Sequence, residues 1–235
     1  MKPILFIGAL LCSLQSYAHP LHHCYAPFLG YKNANGYYTQ LVHEAAADFR
    51  YENIIPVKQM NDSARRLIGY DLPAFTMGGI WLNQESLDTC PDIERYWIIY
   101  HEVAHYVAGH HSHLISLLSL VSPLISINYS YMQTSWGTII ALISSGLLSY
   151  RLKRYAIQPF VKAQAKEADL MVLRLFFKNK KFTLINEYLD HLRMLLEFGK
   201  GDESNGWHHS FQEQFEYLNG TYISLLAVIP NNSRE

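Results

Sequence analysis

Apolar residues recur with a helical period along most of the chain. We expect helices in five segments, in each of which apolar residues three and four apart share a stripe. These segments are 39–51, 91–108, 160–178, 184–198 and a final one that opens at Ser210. Ser210 and Glu213 have the spacing of a capping box, in which each side chain accepts a hydrogen bond from the other residue's backbone N–H. The chain is therefore predicted to be mainly helical.

Two short segments carry the pattern of strands. Residues 54–57 are predicted to form one strand. Residues 74–82 (AFTMGGIWL) are predicted to form a second, interrupted at Gly78 and Gly79, where a bulge or a close backbone approach is expected. Together with the helices, these strands predict an α+β fold that is mainly helical and has a small β-sheet.

The first residues have the three parts of a secretory signal peptide. Lys2 supplies the positive start, residues 4–14 the apolar core, and residues 16–18 (SYA) a small-x-small cleavage site. We expect residues 1–18 to be removed and the mature protein to be exported, to a periplasm or out of the cell.

Cysteine usage fits an exported protein. Three cysteines are too few for a disulfide-dense scaffold, and only Cys24 and Cys90 remain after the signal peptide is removed. In an exported protein this pair is expected to form a disulfide that ties the N-terminal arm to the core. The alternative is metal binding by residues 22–24 (HHC), although that cluster lacks a second half.

Composition narrows the class of protein further. Only 17% of the 235 residues are charged, against about 25% in an ordinary soluble domain. The 19 Lys and Arg residues nearly balance the 20 Asp and Glu residues, so no nucleic-acid partner is expected. The length suits one domain with a real hydrophobic core.

The segment that carries chemistry is 101–105 (HEVAH). Residues four apart on a helix share a face, so His101 and His105 can bind one Zn²⁺ ion. Glu102 is then placed to take a proton from zinc-acidified water as that water attacks a carbonyl group. The pattern predicts a zinc peptidase; the alternative is a helix that carries two histidines without a metal.

Such a site needs a third protein ligand, and two sources compete. His111 stands six residues after His105, which is the metzincin interval, but metzincins need a glycine where this chain has Ala108. The other source is a separate helix further along the chain that carries Glu167 and Asp169. A carboxylate from a second helix is the gluzincin arrangement.

The sequence resembles the zinc metallopeptidases of the CAAX prenyl protease and HtpX type, including their exported periplasmic relatives, over about residues 71–220. The matching pieces occur in the family's order: Ala74-Phe75 with Gly78-Gly79, Ile80-Trp81-Leu82, HEVAH with His110, two apolar segments, Glu167-Ala168-Asp169, Trp207-His208-His209-Ser210, and Glu216-Tyr217-Leu218.

The resemblance implies a zincin-like helical domain with a small β-sheet and an apolar helical hairpin inserted between the two metal-ligand helices. On this basis the chain divides into a signal peptide, an N-terminal arm with a helix, the metallopeptidase domain with its hairpin, and a C-terminal tail. The corresponding ranges are 1–18, 19–70, 71–220 with the hairpin at 112–150, and 221–235.

The resemblance also implies roles on the second ligand helix, with one departure. The family's ligand Glu stands four residues before the Asp of an Ala-Asp pair, and this chain has Ala165 there. Glu167 is predicted to be the ligand instead, although it is turned about 200° from Asp169 around a helix. Asp169 is predicted to orient a ligand histidine; Asp169 as ligand, or an incomplete and inactive site, remain alternatives.

Two substrate-related roles follow from the resemblance. An extended polypeptide is expected to lie as an added antiparallel strand against residues 76–82, which include Thr76, Gly78, Gly79 and Trp81. His208 is expected to approach the zinc or the developing oxyanion, as a catalytic group. The alternative for His208 is an ordinary surface histidine.

Residues 103–150 contain no Asp, Glu, Lys or Arg. Two apolar runs, 114–127 and 138–148, lie in this interval, and each is shorter than the roughly 20 residues that span a bilayer. In the resembled family this interval holds apolar helices that cross or touch the membrane. The resemblance therefore implies a hairpin that dips into a membrane surface; burial in the protein's own core is the alternative.

The leading hypothesis is an exported zinc endopeptidase that cleaves unfolded or membrane-associated proteins. A second hypothesis is a catalytically inactive binding or chaperone-like protein that keeps the metallopeptidase fold. A third is a histidine-rich zinc-binding protein.

Overall fold

The computed structural model describes residues 32–61, 73–76, 78–110, 158–200 and 209–228. The elements within these ranges are helices α1 (Gly36–Asp48), α2 (Gln84–Thr89), α3 (Asp92–Val107), α4 (Gln158–Lys178), α5 (Phe182–Glu197) and α6 (Phe211–Val228), and strands β1 (Lys32–Asn33), β2 (Val57–Gln59), β3 (Ala74–Thr76) and β4 (Ile80–Leu82). The prediction of a mainly helical α+β fold with a small sheet is confirmed.

The four strands form one mixed sheet in the order β1-β2-β4-β3. Strand β4 is central, parallel to β2 on one side and antiparallel to β3 on the other. The prediction of a single interrupted strand over 74–82 is wrong, because β3 and β4 pair as a hairpin in which Thr76 faces Ile80. Gly78 adopts a φ of 65° in the turn between them, a conformation that glycine adopts without steric cost.

Gly79 marks the close backbone approach between β2 and β4. A Cβ at this position would lie 2.8 Å from the carbonyl oxygen of Pro56. That oxygen also accepts a hydrogen bond of 2.8 Å from the backbone N–H of Ile80, so it cannot retreat without breaking the pairing of the two strands. The second glycine of the turn is thus required by packing.

Replacing Gly79 by Ala is expected to lower the free energy of unfolding by about 1–3 kcal/mol, the usual cost of overpacking. The measurement is denaturant unfolding followed by circular dichroism. Gly220→Ala is the matched control, because a Cβ at Gly220 in α6 meets no atom within 4 Å, and it should raise stability by about 0.5–1 kcal/mol. Equal effects of the two substitutions would contradict the close approach.

Helix α3 is the centre of the fold. It packs against α1, α4, α5 and the β3–β4 hairpin, and its second half is buried on nearly every side. Its apolar side chains are large and interlocked: the indole of Trp97 stacks on Tyr188 of α5 at 3.9 Å between ring centroids. The segment 101–105 therefore lies in the interior of the domain, where burial and packing restrict its side chains.

The start and end of α6 and the position of α1 bear on three predictions. The capping box of α6 is confirmed: the backbone N–H of Ser210 donates to Glu213 at 3.0 Å, and the N–H of Glu213 donates to the Ser210 hydroxyl at 3.2 Å. Helix α6 continues to Val228, into the range predicted as a tail. Helix α1, from the predicted arm, shares one hydrophobic core with α3.

No helix among the described residues is both long and apolar enough to cross a membrane. The predicted signal peptide (1–18) and the hairpin (112–150) lie outside the described ranges. Export and membrane contact therefore stay predictions.

Candidate metal centre

The helical spacing of His101 and His105 brings their imidazoles together as predicted. Their Nε2 atoms lie 3.0 Å apart, and their ring centroids are separated by 4.7 Å. His101 is buried and His105 is half-buried. Two imidazole nitrogens thus converge on one point near the C-terminal end of α3.

Asp169, from α4, lies against the other nitrogen of His101. Its Oδ1 is 2.8 Å from His101 Nδ1 and accepts a hydrogen bond of 2.9 Å from Trp97 Nε1. Its Oδ2 accepts from Gln214 Nε2 at 2.9 Å and from the Tyr217 hydroxyl. The carboxylate therefore sits on the Nδ1 side of the ring, where it orients His101, and the alternative of Asp169 as a ligand beside Nε2 disagrees with this geometry.

The His101–Asp169 contact is buried, and it is an ion pair when His101 is protonated. Burial alone would raise the pKa of Asp169, but the adjacent His101 and the donated hydrogen bonds hold that pKa well below its usual range. Burial alone would lower the pKa of His101, and the Asp169 carboxylate raises it overall. Because the Asp169 carboxylate accepts a hydrogen bond from His101 Nδ1 at 2.8 Å, that nitrogen carries a proton, and Nε2 of the same ring faces His105.

A second chain of contacts leads from His105 to Glu167. His105 Nδ1 lies 2.8 Å from His110 Nδ1, and His110 Nε2 lies 3.3 Å from Glu167 Oε2. The Glu167 side chain is 64% exposed, whereas His110 is buried. The structure therefore does not gather Glu167 with His101 and His105 as the prediction of a third ligand requires, because His110 stands between them.

The third ligand is not found in the part of the chain that the structure describes. Within those ranges no three His, Cys, Asp or Glu side chains form a group that could hold a metal ion. His111, the metzincin alternative, and His208, the predicted catalytic group, both lie outside the described residues. Their roles stay predictions.

Glu102 is buried next to His101 and is held by the β3 strand. The Thr76 hydroxyl lies 2.7 Å from Glu102 Oε2 and 2.9 Å from the Glu102 carbonyl oxygen. Burial raises the pKa of the Glu102 carboxyl above its ordinary value, against the lowering effects of His101 and the Thr76 hydrogen bond. A carboxylate in this position has a fixed orientation and a proton affinity suited to general base work.

Most of the residues predicted to pair with a substrate strand are not available for pairing in the structure. Trp81 is fully buried in β4, which is paired on both sides, and its ring stacks on Phe75 at 6.2 Å. Gly79 is buried against Pro56, and Gly78 lies in the turn. Within residues 76–82 and the strands they belong to, β3 lies at an edge of the described sheet and β4 does not, so an added strand has the short edge of β3, with Thr76 at its end, to pair with.

Cys24 of the predicted disulfide lies outside the described residues. Cys90 is half-buried at the end of α2, and its Sγ lies 3.4 Å from the carbonyl oxygen of Ser86. Burial raises the pKa of the Cys90 thiol to about 11, which makes the thiolate scarce near neutral pH.

Four side chains around the site were not assigned a role from the sequence: Trp97, His110, Gln214 and Tyr217. A signal for Trp97 exists, because it stands four residues before His101 and so shares its helix face. Gln214 and Tyr217 stand three apart on α6, which is the spacing of two donors on one face. A buried aspartate needs such donors, but the sequence does not show which helix supplies them.

The two series of contacts, from His101 to Asp169 and from His105 through His110 to Glu167, are compatible with a metal ion between the two Nε2 atoms. Two Zn–N bonds of about 2.0–2.1 Å at the tetrahedral angle separate the nitrogens by about 3.4 Å, close to the 3.0 Å observed. If both Nε2 lone pairs face a cation, both rings carry their proton on Nδ1. His101 then donates to Asp169, His105 donates to His110, and His110 Nε2–H donates to Glu167. Each of these three contacts then joins one donor to one acceptor.

Comparisons of this chain with the models of known protein families, with curated proteins and with solved structures found no match.

Proposed function

We propose that this protein is an exported zinc-dependent endopeptidase of the zincin class that cleaves unfolded or membrane-associated polypeptides. The observation that carries the proposal is the convergence of His101 and His105, whose Nε2 atoms lie 3.0 Å apart, on a helix in which Glu102, the residue after His101, is also buried. Two imidazoles and an adjacent carboxylate on one helix are the functional core of the HExxH peptidases.

His101 and His105 would hold the zinc ion. When bound, zinc supplies Lewis-acid chemistry, which polarises a carbonyl group and makes water more acidic. Glu102 would accept the proton of the attacking water and deliver it to the leaving amine nitrogen. Thr76 holds the Glu102 side chain in place through its hydroxyl, and Asp169 fixes the ring of His101 through Nδ1.

The position of β3 supports an extended polypeptide as substrate. Strand β3 pairs with β4 through one edge, and no other described strand pairs with its outer edge. Thr76, at the end of β3, contacts Glu102 directly. A peptide added along this edge would run beside the general base, and only an unfolded segment can adopt that extended form.

Zinc content and chelator sensitivity test the proposal together. The purified mature protein should contain about one zinc ion per chain, as two histidines on one helix imply a single site, and should degrade casein, an unfolded substrate. Chelation should abolish this activity because the Lewis acid is removed, and added zinc should restore it. The measurements are elemental analysis and release of acid-soluble peptides. Casein hydrolysis that survives removal of all metal would contradict the proposal.

A second candidate function is a non-catalytic protein with this fold that binds unfolded polypeptides. The observations that favour it are the turn of Glu167 towards His110 and the buried Ala165 at the family's ligand position. Such a protein would suppress aggregation of an unfolded substrate without releasing peptides. Aggregation and peptide release measured on the same substrate separate the two functions.

A further inference from the structure

We propose that His110 is a positioning residue for the ligand His105, and that Glu167 acts through His110 instead of binding the metal. The inference rests on the proposed zinc site and assigns the chain of contacts that leads away from it. His101 has the Asp169 carboxylate at its Nδ1. His105 has His110 at its Nδ1 instead, and His110 in turn contacts the Glu167 carboxylate.

The end of α3 is built to turn residue 110 back towards residue 105. The helix closes at Val107, and Gly109 follows with a φ of 70°, the left-handed conformation typical of a helix C-terminus. The reversal brings the His110 ring edge-on to the His105 ring, with centroids 4.8 Å apart. Gln164 of α4 donates to the His110 carbonyl oxygen at 3.3 Å and anchors this turn to the second helix.

His105 and His101 then make the same kind of contact at each ring nitrogen. The Nε2 atom of each ring faces the Nε2 atom of the other. The Nδ1 atom of each ring contacts another residue that can accept a hydrogen bond from Nδ1–H. For His101 that residue is the carboxylate of Asp169. For His105 it is His110 Nδ1 at 2.8 Å. A partner at Nδ1 fixes the tautomer and ring orientation of a metal-binding histidine and raises its basicity.

The direction of the hydrogen bonds supports this assignment. Without a cation, and with all three imidazoles neutral, His105 would donate from Nε2 to His101, and its Nδ1 would accept from His110. The second nitrogen of a neutral His110 would then present a lone pair to Glu167 Oε2, 3.3 Å away, and the two acceptors would repel. With a cation at the two Nε2 atoms, His110 Nε2 carries a proton and donates to Glu167. The contact with Glu167 is therefore favourable in the metal-bound arrangement.

The position of Glu167 suits a residue that contacts His110 and does not contact the metal directly. It lies about 200° around α4 from Asp169, and its side chain is largely exposed. It reaches the site through His110 Nε2. A water-exposed carboxylate at the end of such a chain polarises its neighbour only weakly, so its removal should cost less than removal of His110.

The experiment compares two amides at position 110. In His110→Asn the side-chain oxygen can occupy the position of Nδ1 and still accept from His105, whereas in His110→Gln the amide group occupies the position of Nε2 and does not. Zinc affinity, measured by competition with a chromophoric chelator, should stay within about threefold for His110→Asn and fall about 10- to 100-fold for His110→Gln. The visible spectrum of the cobalt-substituted protein should change only in the Gln variant.

Glu167→Ala and His105→Ala complete the set. Glu167→Ala should weaken zinc binding by less than about 10-fold, and His105→Ala should abolish it. Circular dichroism and thermal unfolding check that each variant is folded; both amides place similar polarity in the same buried site, so a purely structural role would affect them equally. Equal zinc affinities for His110→Asn and His110→Gln would overturn the inference, and so would a Glu167→Ala loss as large as that of His105→Ala.

These outcomes are separable from failure of the proposed function. If the wild-type protein takes up no zinc, both the proposed function and this inference are overturned. If the wild type binds zinc tightly and His110→Gln binds it equally well, only the role of His110 is overturned.

Discussion

A Glu102→Gln variant is expected to release peptides from casein at least about 100-fold more slowly than the wild type, while its zinc content stays the same. General base catalysis typically contributes about 10²- to 10⁴-fold, and the amide of Gln cannot accept a proton from water. The substitution keeps the size of the side chain and an oxygen that can accept the Thr76 hydrogen bond. Peptide release and elemental analysis on the same preparation measure the two effects.

Glu44→Gln is the matched control for this loss. Glu44 also follows a histidine on a helix, His43 of α1, but Ala47 stands where a second metal-binding histidine would be needed. Glu44 is exposed and accepts a hydrogen bond of 2.8 Å from Gln40. Its substitution should leave peptide release unchanged. Full activity in Glu102→Gln would show that the base lies elsewhere and would contradict the mechanism.

In the metal-free protein, in which the raised pKa of His101 favours its charged form, replacing Asp169 by Asn is expected to lower the free energy of unfolding by about 3–5 kcal/mol, the cost of breaking a buried ion pair. The wild-type carboxylate receives donors on both oxygens, from His101 and Trp97 on one and from Gln214 and Tyr217 on the other. An amide keeps one oxygen, and its NH₂ group must then face one of these pairs of donors. Denaturant unfolding of the two proteins measures the difference.

The control is Asp190→Asn on α5. Asp190 pairs with Arg193 at 2.7 Å, but both side chains are exposed, and surface pairs of this kind contribute at most about 1 kcal/mol. The same chemical change in water should therefore alter stability by less than about 1 kcal/mol. If Asp169→Asn were as mild as Asp190→Asn, the ion pair with His101 could not be the anchor that the geometry indicates.

Local signals in the sequence located most of the helices. Apolar periodicity located α1, α3, α4 and α5, and the capping box marked the start of α6. The hairpin was not predicted because its strands are only three residues long, too short for alternation to reveal a reversal. The expectation of a bulge or a close backbone approach at Gly78 and Gly79 did not include a turn, although Gly79 does make a close approach. Two adjacent glycines are compatible with both structures, and only pairing partners decide between them.

The candidate metal site was likewise predicted only where its residues are close together in the sequence. His101, Glu102 and His105 were found because their spacing is local and matches the helical repeat. Asp169 was assigned to a ligand histidine through a family resemblance, and the structure places it on His101. Glu167 was expected at the metal, but the turn at Gly109 inserts His110 in its path. That reversal depends on how α3 meets α4, which no spacing within either helix encodes.

The Asp169 cluster has a consequence for when the site is completed. The four donors to this carboxylate come from positions 45 to 72 residues away along the chain, on α3 and α6. Contacts of this separation form only after the long intervening loops have closed. A chain still emerging from the ribosome or from a translocation channel has not delivered residue 217, so His101 lacks its finished support. The order of synthesis thus delays the proposed activity until the last helix has docked.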